Sequence, residues 1–345
     1  MNATTLNLIP LFGCGPGRRP RLSRFVFGAV AALCLAAALL YAPGVSAQDF
    51  PSRAIHFVVP LPPGSGSDTS ARYFAAKIGE LAGVPVVVEN KPGANGLLAV
   101  QAVLNAKPDG YTVLIGSNSP LATNAALYKK LSYDPVADFT PLSILMRAPM
   151  LLIVPANSPY KSMADFIAGA KKQPGKLNYG SGTPAYELFT ERFNELAGTR
   201  IANVPYKGSS EVITAVVGGS IDFGVVDITG SLALALSGKV RALAISSEQR
   251  FARLPDVPTT REVGLAGYTP SVWVAAVVSS KAPKAVADKL AEYFVTVAKM
   301  PETREFFGKL NAELSTGGAE ELRDFQLREI ETWKRIVSNS KIEQL

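Results

Sequence analysis

Six short stretches of this chain have a composition that can do chemistry. Residues 63–69, 92–96, 116–120, 180–184, 206–210 and 227–231 are rich in glycine and small polar side chains, and most close a short apolar run. In the first, Pro63-Gly64-Ser65-Gly66-Ser67-Asp68-Thr69 follows the β-branched run Ile55 to Val59. Glycine lets a backbone turn sharply and approach a ligand, because it has no Cβ. Ser67, Asp68 or Thr69 can cap the helix that follows. A helix start offers unpaired N–H groups and the positive end of its dipole, which is an anion site. The candidate ligand-binding residues are Pro63, Gly64, Ser65, Gly66 and Asp68 in the first loop, then Asn95, Ser117 and Asn118. Gly180, Ser181, Gly182, Thr183, Tyr206, Lys207 and Asp227 complete the set. N–H and hydroxyl groups converging on a cleft suit a carboxylate, which needs several donors at fixed positions. Lys207 either caps a helix, sits in solvent or draws an anion from the rim. Asp227 either caps the helix behind it or accepts a hydrogen bond from an amino or hydroxyl group of the ligand. Any one such loop is equally an ordinary strand-to-helix turn. The recurrence is what argues for a site.

Catalytic machinery is scarce. The single histidine, His56, lies within the first apolar run and reads as a strand residue with a local partner. No second histidine exists to act with it, and no GxSxG elbow occurs. Gly175-Lys176 fails as a phosphate loop, because Ala170 stands where the first glycine is required. The spacing of the first loop is not GxGxxG, so no dinucleotide is expected. We expect no catalytic residue, no metal site and no cofactor.

Elements that would position these loops follow from the pattern. Apolar runs at 55–59, 84–89 and 111–115 alternate with helical segments, and the same alternation recurs through 177–179, 201–205, 221–226 and 241–245. Such alternation predicts an α/β fold with parallel strands and helices on both faces. Met150 to Val154 reads as a strand entering a second unit, and 158–172 as a helix in which Ser162 is an internal cap. Thr183-Pro184 is the strongest helix start, with Thr183 suited to the N-cap and Pro184 to the first turn. A helix is expected over 232–236 and a strand over 271–279. Helices follow over 284–299 and 320–338, with a short one at 301–309 between them. We therefore expect two doubly wound domains with a ligand cleft between them. Residues 48–147 plus 268–345 would form one domain and 148–267 the other.

The chain has 345 residues, 48% hydrophobic and 18% charged, a globular composition long enough for two domains. Its net charge of +7 owes much to Arg18, Arg19, Arg21 and Arg24, without which 31 of the 35 basic residues face 28 acidic ones. No basic stripe interleaved with aromatics remains, so nucleic acid is not an expected partner. Those arginines precede the apolar run Phe25 to Tyr41, the breaker Pro43-Gly44 and the small-residue triplet Val45-Ser46-Ala47. This is the pattern of a cleaved signal peptide over residues 1–47, with export to the periplasm. The alternative is a membrane anchor, but the run sits near the lower length limit for a span. Cys14 and Cys34 would leave with the leader, so the exported protein would have no thiol or disulfide.

Several longer motifs are recognisable. Ala54-Ile55-His56-Phe57-Val58-Val59-Pro60-Leu61-Pro62-Pro63-Gly64 resembles the opening of the Bug family (Bordetella uptake gene proteins), the periplasmic receptors of tripartite tricarboxylate transporters. The likeness extends through Val87 to Ala94, Pro108 to Thr112, Lys176 to Ser181, Val204 to Ser209, Gly238 to Ala244 and Leu254 to Thr259. It covers essentially the whole chain beyond the leader. The resemblance implies a two-domain binding protein of periplasmic-binding-protein (type II-like) architecture that closes on a small organic acid and delivers it to membrane permease subunits; we expect it to act as a monomer. Loops matching 62–66 and 180–183 would hold the ligand, and the position matching Asp227 would face the cleft. The second loop departs from the family pattern. It reads Gly182-Thr183-Pro184-Ala185-Tyr186-Glu187, shorter and without the usual histidine. That departure puts the usual contact to a second carboxylate in doubt, and Tyr186 would favour an aromatic or bulkier ligand. The other functional classes open to the sequence are an extracytoplasmic sensor feeding a kinase and a secreted hydrolase, which lacks a base for any loop serine. If the leader is cleaved as read, intact-mass analysis of the exported protein will show an N-terminus at Gln48. Retention of residues 25–41 in the membrane fraction would overturn it.

Overall fold

The computed structural model describes residues 50–339 and 342–345. The expected leader, its cleavage point and both cysteines lie outside them. The chain from Phe50 onward is one compact unit. In order, its elements begin with β1 (Ile55–Val59), α1 (Gly66–Ala82), β2 (Val86–Asn90), α2 (Leu97–Leu104), β3 (Thr112–Ser117) and α3 (Asn124–Leu127). There follow β4 (Phe139–Pro155), α4 (Met163–Lys172), β5 (Asn178–Ser181), α5 (Pro184–Ala197), β6 (Ala202–Pro205) and α6 (Ser209–Val217). The rest is β7 (Phe223–Asp227), α7 (Ile228–Leu236), β8 (Val240–Ile245), β9 (Ser271–Ser279), α8 (Lys284–Ala298), α9 (Pro301–Lys309) and α10 (Ala319–Asn339).

One hydrogen-bonded sheet of nine strands carries the order β2-β1-β3-β9-β4-β7-β5-β6, with β8 pairing β4 off that path. The expected parallel arrangement holds at both flanks, where β1 pairs β2 and β3, and β5 pairs β6 and β7. It fails in the middle. There β9 is antiparallel to β3 and β4, and β4 is antiparallel to β7 and β8. Parallel pairs need a crossover, usually helical. The connection from β8 to β9 contains no helix, and both strands run antiparallel to β4.

The stretch 140–149, without a clear pattern in sequence, is the first part of a single 17-residue strand, β4. Nearly every side chain of β4 is buried, so the alternation that marks a half-exposed strand is missing. Proline at 141 and 149 further disguises it. The ladder absorbs these with register shifts against β9 between Pro141 and Ser143 and between Ile144 and Met146. The partner changes at Pro149, from β9 over Phe139–Pro149 to β7 and β8 over Met150–Pro155. At the changeover the Met150 N–H donates to the buried Ser246 Oγ at 2.7 Å, and that hydroxyl donates to the Pro270 carbonyl at 2.6 Å.

Two other boundaries moved for local reasons. α4 starts at Met163 rather than 158, because Ser162 forms a full capping box with Asp165. α7 starts at Ile228 rather than 232, because the Asp227 carboxylate accepts the Gly230 N–H at 2.9 Å and draws the chain into a helix.

Successive strand residues face opposite sides, and each side has its own core. Trp273 and Ala275 of β9 join Val58, Leu152, Tyr179 and Phe223 on one side. Val274 and Ala276 join Phe57, Phe74, Leu151, Val226 and Phe294 on the other. Each core runs across the whole sheet. The Ser246 hydroxyl is thus a fixed point of the fold. Ser246→Ala leaves a buried N–H and a carbonyl without partners and is expected to cost about 1–3 kcal/mol. Urea unfolding checks this, and an unchanged midpoint would contradict it.

Candidate functional site

The carboxyl ends of β1, β3, β5 and β7 open onto one cavity of about 270 Å³. In α/β sheets ligands bind outside the strand ends, where chain reversals leave room. Leu61 and Ser65–Ser67 enter it from β1, Ser117–Ser119 from β3, and Asp227 and Thr229 from β7. Thr183, Ala185, Tyr186 and Phe189 enter from the β5 side. The remaining wall comes from inside strands: Met146 and Ala148 of β4, and Val272, Trp273 and Val274 of β9.

Three helices begin at this cavity. In α1, Ser65 Oγ accepts the Asp68 N–H at 3.2 Å, so the N–H groups of Gly66 and Ser67 are the ones without a helical acceptor. In α5, Pro184 has no N–H, while Tyr186 and Glu187 donate to the Thr183 carbonyl at 3.0 and 3.2 Å. That leaves the Ala185 N–H. Thr183 is the N-cap by backbone shape, yet its hydroxyl makes no cap bond. In α7 the cap is Asp227 itself. Its carboxylate also accepts the Thr229 hydroxyl and, at 3.2 Å, the Tyr186 hydroxyl. Burial and the neighbouring Asp227 push the Tyr186 phenol well above its ordinary range. No Lys, Arg or His is among the residues lining the cavity. The arrangement can hold an anion through main-chain N–H groups and hydroxyls.

Of the residues singled out in the sequence, Ser65, Gly66, Ser117, Asn118, Thr183 and Asp227 line the cavity. Asn118 does so as a strut, its amide donating to the Ser271 carbonyl at 2.9 Å and accepting the Trp273 N–H at 3.0 Å. The others lie outside the lining, for identifiable reasons. Gly64 has φ +82 and makes the turn after Pro63, and its N–H donates to Asp68 at 2.9 Å. Asp68 is also bound by Arg72 and by Asn90, which hold its carboxyl below the usual range despite its burial. Asn95 donates to the Tyr128 hydroxyl at 3.2 Å. Gly180 is a packing residue beneath Ile221 and Val212. Ser181 donates to Asn203 at 2.8 Å and, through its carbonyl, accepts the Tyr206 N–H at 2.8 Å. Gly182 lets two loops touch, since a Cβ there would stand 2.5 Å from the Gly208 backbone. Lys207 is exposed, with its backbone N–H on Glu211. His56 is exposed in β1, also away from the lining.

Sequence reasoning missed the apolar wall. Trp273 is fully buried, and its indole N–H donates at 3.3 Å to Glu329, which also accepts from Trp333. Burial raises the Glu329 carboxyl above its usual value. Phe189 stacks obliquely on Trp333 with centroids 5.4 Å apart. Nothing local distinguishes such residues from ordinary core. Ser67 and Ser119, by contrast, belong to loops that the composition had already marked.

The profile of the tripartite tricarboxylate transporter family receptor matches residues 70–342. The chain belongs to this receptor family. Among curated relatives, BugT of Bordetella pertussis is 31% identical over 313 residues, 90% of this chain and 95% of that protein. Among solved structures, R. palustris Rpa4515 with adipate has 30% identity and a TM-score of 0.74, covering 84% of this chain and 98% of that one. MatC from Rhodopseudomonas palustris with bound malate has 29% identity and a TM-score of 0.71, covering 84% and 100%. The resemblance read from the Ile55–Gly64 motif and its companions is borne out. So is the fold class, a mixed α/β periplasmic binding protein of this receptor type. Among the described residues no helix is long and apolar enough to cross a membrane.

Because the folded state holds the Tyr186 phenol protonated, this group stabilises the protein below its ordinary pKa of 10.0. That contribution is lost as pH rises above it, since the unfolded chain then releases the proton first. Tyr186→Phe is expected to flatten the loss of stability above about pH 10. Denaturant midpoints taken at several alkaline pH values check this, and parallel curves for parent and variant would contradict it.

Proposed function

We propose that this receptor captures a small organic carboxylate in the cavity at the strand ends and delivers it to the membrane permease subunits of a tripartite tricarboxylate-type transporter. The observation that carries the reading is the lining: three helix starts converge on one cavity that offers N–H and hydroxyl donors and no cation. Main-chain donors fixed at helix starts fit a carboxylate without the desolvation of a buried lysine or arginine. Relatives solved with adipate and with malate support the same ligand chemistry. The protein works from the periplasm after loss of residues 1–47, as a monomer. Residues 48–147 plus 268–345 and residues 148–267 act as two lobes that close on the ligand. The partner change of β4 at Pro149 and the entry of β9 at Ser271 fall at the lobe boundary. Binding, not turnover, is the activity. The hydroxyls of the lining have no histidine or lysine beside them to act as base.

A thermal-shift screen across mono-, di- and tricarboxylates, aromatic acids and amino acids tests the proposal, because a bound ligand stabilises the native state by mass action. No shift with any organic acid would sink it. With a ligand in hand, Gly66→Val is the sharper test. A Cβ at Gly66 would stand 3.1 Å from Met146 Cε, so a larger side chain intrudes where the free N–H groups begin. Affinity is expected to fall by about 2 kcal/mol or more, the order of a lost charge-assisted hydrogen bond. The far-ultraviolet spectrum should remain native, and calorimetry showing unchanged affinity would contradict the assignment.

A further inference from the structure

The carboxylate reading leaves open what the rest of the ligand is, and the cavity constrains it. The unpaired N–H groups lie at helix starts, whereas much of the remaining wall is Met146, Phe189, Val272 and Trp273. Trp273 cannot turn to offer its indole N–H, which is held by Glu329 at 3.3 Å. Asn118 has its amide oxygen and one of its two amide N–H groups bonded to β9, so it can offer only the second N–H.

A second carboxylate would need its own donors. At α5 the Ala185 N–H remains, Pro184 having none and the next two being bonded to Thr183, and the N-cap Thr183 adds its own N–H and its hydroxyl, which makes no cap bond. At α7 the anion position is already filled by the Asp227 carboxylate, which accepts the Gly230 N–H, the Thr229 hydroxyl and the Tyr186 hydroxyl. Asp227 is the one acidic side chain on the lining, and no basic side chain lines the cavity beside it. A second anionic group that approached α7 would therefore meet a like charge with no cation beside it to offset the repulsion.

Resting on the reading of the cavity as a carboxylate site, we propose that the ligand is a monocarboxylate with an apolar aliphatic or aromatic body, and that Asp227 excludes ligands carrying a second carboxylate. The α1 start and its hydroxyls take the single carboxylate. Phe189, Trp273 and Met146 take the body. Relatives holding adipate and malate bind dianions, and this chain is inferred to differ from them in that respect.

Calorimetric titration with hexanoate, 3-phenylpropanoate and adipate tests the proposal, because hexanoate and adipate differ only in the far end of one chain. Hexanoate and 3-phenylpropanoate are expected to bind, with adipate weaker by about tenfold or more, the order expected of like charges meeting in a partly dry cavity. Asp227→Asn keeps a good helix N-cap while removing the charge. It is expected to narrow the adipate-to-hexanoate gap by about the same factor, with circular dichroism confirming the fold. Adipate binding as tightly as hexanoate to the parent protein would overturn the proposal while leaving a carboxylate receptor standing. An unchanged ratio in a folded Asp227→Asn would remove Asp227 from the explanation. Failure of all three acids to bind would overturn this proposal, whereas the carboxylate reading falls only if no organic acid of the thermal-shift screen binds.

Discussion

Backbone hydrogen bonding along β4 is the constraint on which the rest of the structure depends. One strand of 17 residues serves two sets of partners, and it must change from one to the other without leaving buried N–H or C=O groups unpaired. Pro149 sits at the change and has no N–H to satisfy. The next N–H, of Met150, is taken by Ser246, whose hydroxyl passes the bond on to Pro270 just ahead of β9. The same few residues therefore fix where β8 ends, where β9 begins and where β4 turns from one flank to the other. Met146 and Ala148, immediately before the change, and Val272 to Val274, immediately after the start of β9, form the strand-borne wall of the cavity. The wall is where it is because the ladder is.

The polar side of the cavity depends on helix starts. Every helix begins with N–H groups that its own backbone cannot satisfy. This fold places three such starts round one space, then meets part of the demand from within: Ser65 caps α1, Asp227 caps α7, and the Thr183 carbonyl takes two N–H groups of α5. What remains is a small set of donors. An arginine would hold any anion more strongly, but it would also have to be desolvated and would discriminate less between one carboxylate and two.

Rigidity comes from a layer behind the lining. Asn118 ties the end of β3 to β9 on both sides of Val272, and Glu329 of α10 holds the indoles of Trp273 and Trp333 together. Glu329 is half-buried between the two indoles, and the loss of solvent there raises its protonation range. These groups do not line the ligand space with free polarity. They tie β3, β9 and α10 together behind the cavity wall.

By itself the sequence determined the local devices. Gly-Ser loops after apolar runs mark the strand ends; Ser162, Thr183 and Asp227 are legible as helix starts, although the first helix is capped by Ser65 and not by Ser67, Asp68 or Thr69; and the motifs from Ile55 to Gly64 onward carry the receptor family. These depend on a few neighbouring residues, so short-range chemistry is enough to read them. Only the tertiary structure decided which loops meet. Loops 180–184 and 206–210 look equally suited to a ligand, yet Gly182 lets the second pack against the backbone of the first, and Lys207 ends in solvent. Asp68, a plausible ligand residue in sequence, is committed to Gly64, Arg72 and Asn90, one of them on a separate strand. The antiparallel centre and the apolar wall were hidden for the same reason. A strand buried on both faces has no alternation to reveal it, and a tryptophan lining a cavity has the same local sequence as one filling a core. What distinguishes them is long-range pairing, which no local pattern encodes.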